Sequence, residues 1–276
     1  DSTGYYEQAV VLHNLLFESP THFFEILFNG SNAQNYNYLN DTTGYIAYNT
    51  WINDYSAMYI TRLITPLCII SFNSFITTTI MLAWICYPGV WKLYLLFCEQ
   101  FPKIKKELAI SLLFVPSVVF WGSGLLKDTV TLSAIGWYSY CFYKLFIKKN
   151  YSFYNITGLL LSAYLLIVLK PYIIFALLPG SLIWLTYVWI SKIKIRIIKV
   201  FIAPLFITLG VVLGLYALSS MSEVLGVYSV DTVLERAVVV QKDLKRDYYG
   251  GNSFDIGDFD ATIGGVLSKA PLAINA

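Results

Sequence analysis

The chain has 276 residues, of which 57% are hydrophobic and only 13% charged, with a net charge of +2. Soluble domains carry about 25% charged residues, so this composition belongs to the membrane class, and a charge so near neutrality argues against a nucleic-acid surface. Four cysteines without CxxC spacing argue against a metal ribbon or a disulfide framework and read as packed thiols.

Residues 1–56 are polar and aromatic, rich in Asn, Tyr and Thr. Tyr5, Tyr6, Ala9, Val10, His13, Leu16 and Phe17 recur at helical spacing and predict an amphipathic helix lying on a membrane surface. Ser19-Pro20 ends it, Phe23 to Leu27 predict a second short surface helix, and residues 29–48 read as an ordered loop. From Leu63 to Trp91 there is no charge. That run is too long for one span and too short for two, at about 20 residues per crossing. It divides at Phe72-Asn73-Ser74 into a half-embedded helix over 58–71 and a full span over 74–97, with Arg62 snorkelling to the interface.

Four further runs, 108–126, 129–146, 151–169 and 171–191, are each long enough to cross, and a last run covers 200–221. The expected fold is therefore an all-α polytopic integral membrane protein with about six transmembrane helices, interfacial helices and a large outer loop. Basic clusters at Lys103/Lys105/Lys106, Lys148/Lys149 and Lys192/Lys194/Arg196/Lys199 fall in alternate loops and mark one cytoplasmic face. The other face then holds residues 1–56, the Gly122–Asp128 turn, Lys170-Pro171 and the tail from Ser222. Three regions follow: an extracytoplasmic loop over 1–56, a helical membrane region over 57–221, and an extracytoplasmic segment over 222–276. In that last segment 231–247 reads as an exposed helix and 263–276 as a new apolar stretch. Starting at Asp1 and stopping in an apolar stretch, the chain reads as an internal piece of a longer membrane protein.

The chemistry-bearing stretch is Phe114 to Asp128, where an apolar run breaks at Gly122-Ser123-Gly124 and presents Lys127 and Asp128. Ionisable groups at a membrane face are costly and are usually kept for a task. Asp1 and Asp128 fall on the same predicted face and suit a general base and an organiser of metal or phosphate; helix capping is the competing role, and for Asp128 the stronger one on local pattern. Lys127 and Lys170 suit phosphate as point charges, against simple snorkelling. Tyr5 and Trp121 complete the candidate binding set. Asp255, Asp258 and Asp260 lack the order of a calcium loop and read as a solvated acidic turn. His13 and His22 are not spaced for metal, and no Walker loop, GxSxG, HExxH or GxGxxG is present. No metal site or cofactor is required by the sequence, although a divalent cation is possible.

Asp1-Ser2-Thr3-Gly4-Tyr5-Tyr6, VPSVVFWGSGLLKDT at 115–129 and LKPYI at 169–173 together resemble bacterial multi-pass envelope-polysaccharide proteins: the GT-C-like glycosyltransferases and the O-antigen or capsule polymerases. The resemblance implies a polyprenyl-phosphate or polyprenyl-diphosphate sugar donor, a glycan acceptor and work at the periplasmic face of the bacterial inner membrane. It implies Asp1 as general base, Asp128 as the acidic residue of the next outer loop and Lys170 as a phosphate-handling position. The absence of an Asp-x-Asp pair in that loop departs from the metal-dependent pattern. Two other classes remain open at this point: a lipid-linked-oligosaccharide flippase or transporter, and a non-catalytic membrane subunit of an envelope assembly.

Overall fold

A computed structural model describes residues 2–191 and scattered positions between 208 and 271. Asp1, nearly all of the run at 200–221, the third basic cluster, most of the tail helix at 231–247, Asp255 and Asp258 lie outside the described residues. The chain divides into two compact units, Asp1–Ile174 and Phe175–Ala276. Among the described residues the fold is helical throughout, with no strand.

The first unit opens with a helical cap. Helix α1 (Ser2–Glu18) buries Ala9, Leu12 and Leu15 on one face, as its spacing predicts. Extended Ser19 and the fixed φ of Pro20 start α2 (Pro20–Asn29), which ends at Gly30 with φ +92°. The expected loop contains a short 3₁₀ turn at Asn35–Tyr38 and gives way to α3 (Tyr48–Asn53). Trp51 of α3 is fully buried, and its Nε1 donates to the Asn32 carbonyl at 2.9 Å and to Asn35 Oδ1 at 3.1 Å. Leu12, Leu15, Phe23, Ile26 and Met58 pack with it into one apolar cluster.

Asp54 then caps α4 (Tyr55–Ile70), and Ser74 caps α5 (Phe75–Gln100). Helix α4 packs against α1, where Ile60 and Ile64 meet Ala9, Leu82, Val130 and Leu169 in a second cluster. Arg62 has partners within the protein. Its Nε donates to the Leu27 carbonyl at 2.8 Å and its Nη2 to the Phe28 carbonyl at 3.2 Å, because the last carbonyls of α2 have no helical partners.

Helix α5, 26 residues long, is the one helix among those described that is long and apolar enough to cross a membrane by itself, where about six were expected. The reasons are local. The 108–126 run breaks into α6 (Lys105–Ala109), a π turn at Ile110–Phe114 and α7 (Pro116–Ser123). Pro116 has no N–H for the preceding turn and holds Val115 extended. Helix α8 (Lys127–Phe142) continues only as a π turn over Tyr143–Ile147, and α9 (Phe153–Leu169) has 17 residues. Helix α10 (Pro171–Ser191) starts directly after Lys170.

Small residues let these helices meet closely. A Cβ on Gly89 of α5 would lie 2.2 Å from the Ser133 carbonyl oxygen of α8, and one on Gly158 of α9 would lie 2.8 Å from Cys141 Sγ. Partners along α5 and α8 rise together in number (Gly89 with Ser133, Glu99 with Lys144), so the two helices run in the same direction. Helix α9 runs against them, with Trp137 beside Tyr154. All four cysteines are buried and free.

Candidate functional site

At the start of α8 the chain is pinned by Thr129, whose Oγ1 donates to the carbonyls of Gly124 at 2.7 Å and Trp121 at 3.1 Å. This fixes the Gly122–Asp128 turn and places Lys127 and Asp128 in the first turn of α8. Lys127 Nζ donates to Ser56 Oγ at 2.8 Å and reaches Asp54 Oδ1 at 3.3 Å, while lying 5.7 Å from the centre of the Tyr5 ring. Lys170 Nζ, at the end of α9, pairs with Asp128 Oδ1 and has a further hydrogen bond with Tyr172. The capping role for Asp128 does not hold: Leu126 is the N-cap residue and makes no side-chain cap, and Asp128 is committed to Lys170.

Two ion pairs therefore share one end of α8, and Tyr5 of α1 senses both. Burial, then the charges of Asp54 and Asp128, push the Tyr5 hydroxyl up to about 12. Desolvation alone would raise the Asp54 carboxyl, but the Ala57 amide, Lys127 and Ser56 hold it below the usual carboxylate value. Desolvation would likewise lower Lys170, and the hydrogen bond and charge of Asp128 outweigh it and raise that ammonium.

The four groups are unevenly exposed. The lysine side chains are 16% and 20% exposed, their carboxylate partners 49% and 43%. Pairs open to water on the acid side are worth only about 0–1 kcal/mol each. A phosphate, with more charge and more acceptor oxygens, can compete for such ammoniums while the released carboxylates remain solvated.

Of the residues singled out from sequence, Tyr5, Lys127, Asp128 and Lys170 come together here. The Trp121 ring does not join them; it is exposed and packs edge-on against Phe120. Asp1 lies outside the described residues. Sequence reasoning missed Asp54 and Ser56, and the only local signal, an Asp before an apolar helix, reads as a cap. Among the described residues no three His, Cys, Asp or Glu side chains gather to hold a metal ion.

Beneath the ion pairs runs an apolar cavity of about 430 Å³ between α4, α5, α8 and α9, reaching from Val130 and Leu165 to Trp137 and Tyr154. Ser133 and Ser162 supply part of its sparse polar lining. At the opposite end of α8, Lys144 pairs with Glu99 at 2.6 Å. Comparison with protein-family models, curated proteins and solved structures returns no match.

Proposed function

We propose that the chain is the membrane-embedded part of a glycosyltransferase or polymerase acting on polyprenyl-(di)phosphate-linked sugars in bacterial envelope-polysaccharide assembly. The observation that carries this reading is the paired cluster Lys127–Asp54 and Lys170–Asp128 around Tyr5. Several helical runs would cross the inner membrane: α5 alone, α6 to α7 through their π turn, α8 with its π turn, α9 and α10.

Two features support an embedded bundle. Trp84, Ile76, Ile80, Phe153 and Leu160 point bulky apolar groups outward, while Gly89, Gly136, Gly158 and Ser162 occupy helix contacts or the interior. Large residues towards lipid and small ones between helices is the membrane pattern. Lys103 and Lys148 follow the C-terminal ends of the co-directional α5 and α8, and Lys127 stands at the start of α8. This charge asymmetry supports a periplasmic position for the ion-pair cluster.

In the transfer step an acceptor hydroxyl oxygen attacks the anomeric carbon, and the bond from that carbon to the phosphate oxygen breaks. The electron pair leaves on the phosphate, where Lys127 and Lys170 offset the developing charge. The hydroxyl proton goes to Asp1, assigned by its position in the resembling motif. Asp54 and Asp128 hold the two ammoniums in place before the donor arrives, and Tyr5, kept protonated, donates to a phosphate oxygen.

The test is release of polyprenyl phosphate or diphosphate by the full-length protein in lipid with a polyprenyl-linked sugar donor. Asp1→Asn is expected to abolish release and Lys170→Gln to lower it by roughly 100-fold, as for loss of one transition-state donor. Undiminished release in both variants would remove the proposal. Transport of intact donor across the bilayer would put a flippase in its place.

A further inference from the structure

Lys92 is a charged residue inside α5, two turns before Gln100 and therefore about 12 Å short of the helix end. Its ammonium stands 4.6 Å from the centre of the Tyr140 ring and 5.5 Å from those of Trp137 and Tyr154. Among the described residues it pairs with no carboxylate, and the nearby acid, Glu99, is taken by Lys144. Aromatic faces stabilise a cation by about 0.5–2 kcal/mol, but they accept no strong N–H hydrogen bonds. An intramembrane cation of this kind calls for an anion.

The apolar cavity lies against the same rings. Trp137 and Tyr154 line it and also flank Lys92. Along α9 it extends from Tyr154 to Leu165, about 16 Å of helix. Its shape suits one extended hydrocarbon chain. At its Trp137 end the cation without a carboxylate among the described residues is Lys92, while Lys144 is offset by Glu99.

We infer that this cavity holds one acyl chain of an anionic phospholipid whose headgroup phosphate pairs with Lys92. The site is separate from the Lys127–Lys170 cluster, because its cation stands at the far end of α8. The inference rests on the membrane reading above but not on sugar transfer. Charge selects the headgroup, and the slot selects for a chain that can lie between α8 and α9.

The purified full chain is mixed with phosphatidylglycerol and phosphatidylcholine of equal chain length, and retained lipid is counted by native mass spectrometry. Wild type and Lys92→Arg are expected to prefer phosphatidylglycerol, and Lys92→Gln to lose about fivefold of that preference. Ala134→Phe, which fills the slot, is expected to lose the retained lipid while Lys92 stays in place. Melting of each variant in phosphatidylcholine alone identifies any that has failed to fold. An unchanged preference in Lys92→Gln, or full retention in a folded Ala134→Phe, overturns the inference. So does displacement of wild-type phosphatidylglycerol by an equimolar polyprenyl phosphate. Carbonate washing of the membranes separates the two failures: a chain that washes off refutes the membrane reading, whereas one that stays and ignores Lys92 refutes only the lipid site.

Discussion

A Cβ placed on Gly136 would lie 2.0 Å from the Gly89 carbonyl oxygen, so α8 and α5 touch backbone to backbone at this pair. No side chain can be accommodated there without separating the helices. Gly136→Ala is expected to destabilise the bundle by roughly 1–3 kcal/mol through overpacking. Gly180 of α10 is the contrasting position, since a Cβ there meets nothing within 4 Å. Gly180→Ala is expected to leave stability unchanged or raise it by up to about 1 kcal/mol. Melting in one detergent compares the two, and equal effects would contradict the close crossing.

Arg62 ties α4 to the end of α2 through two carbonyls, a task that needs donors on separate nitrogens of a planar group. Arg62→Lys keeps the charge but offers a single ammonium. The expected loss is about 1.5–3 kcal/mol, the scale of one charged hydrogen bond. Hydrogen exchange in α2 is the direct readout, with faster exchange of its last-turn amides in the variant. Unaltered protection would mean that Arg62 serves only the interface, as its sequence suggested.

Much of this architecture was legible in the apolar runs. The span expected over 74–97 is α5, and the helices expected over 151–169 and 171–191 appear as α9 and α10. The run at 108–126 misled because hydropathy averages over Pro116, whose missing N–H breaks the helix into pieces. Lys127, Asp128 and Lys170 stand out as charged breaks in apolar sequence and Tyr5 as a ring of the amphipathic N-terminal helix, and the four meet at the start of α8. Asp54 was invisible because its partner, Lys127, is 73 residues away and capping already accounts for an Asp at that position. Lys92 was hidden for a similar reason: its rings come from α8 and α9, and only the glycine crossings bring them to it.

Asp54 has a folded-state carboxyl below the ordinary value of 3.8, so its contribution to stability is present above that value. It is lost as pH falls through the lower folded value, because protonation removes the attraction to Lys127 and weakens the cap on Ala57. Wild type is expected to hold constant stability through neutral pH and to weaken below about pH 4. Asp54→Asn keeps an oxygen for the cap but no charge for Lys127, and its acid limb should be shallower. Acid titrations of unfolding for both proteins check this, and superimposable limbs would sink it.

The alkaline side belongs to Tyr5. Its hydroxyl, raised to about 12 by burial and the two neighbouring carboxylates, stays protonated where an ordinary tyrosine ionises near 10. A raised folded-state value favours the folded chain below the unfolded value, and that advantage disappears as pH climbs from about 10 to 12. Lys170 has the same sign, since Asp128 holds its charged form. The near-ultraviolet tyrosinate signal of wild type minus Tyr5→Phe should therefore show one group titrating near 12. A difference signal centred near 10 would place Tyr5 in open solvent and detach it from the ion pairs. Ionised Tyr5 would sit beside two carboxylates, and burial adds to that cost, so its hydroxyl remains a donor, the form in which it can hydrogen-bond a phosphate oxygen, well into the alkaline range.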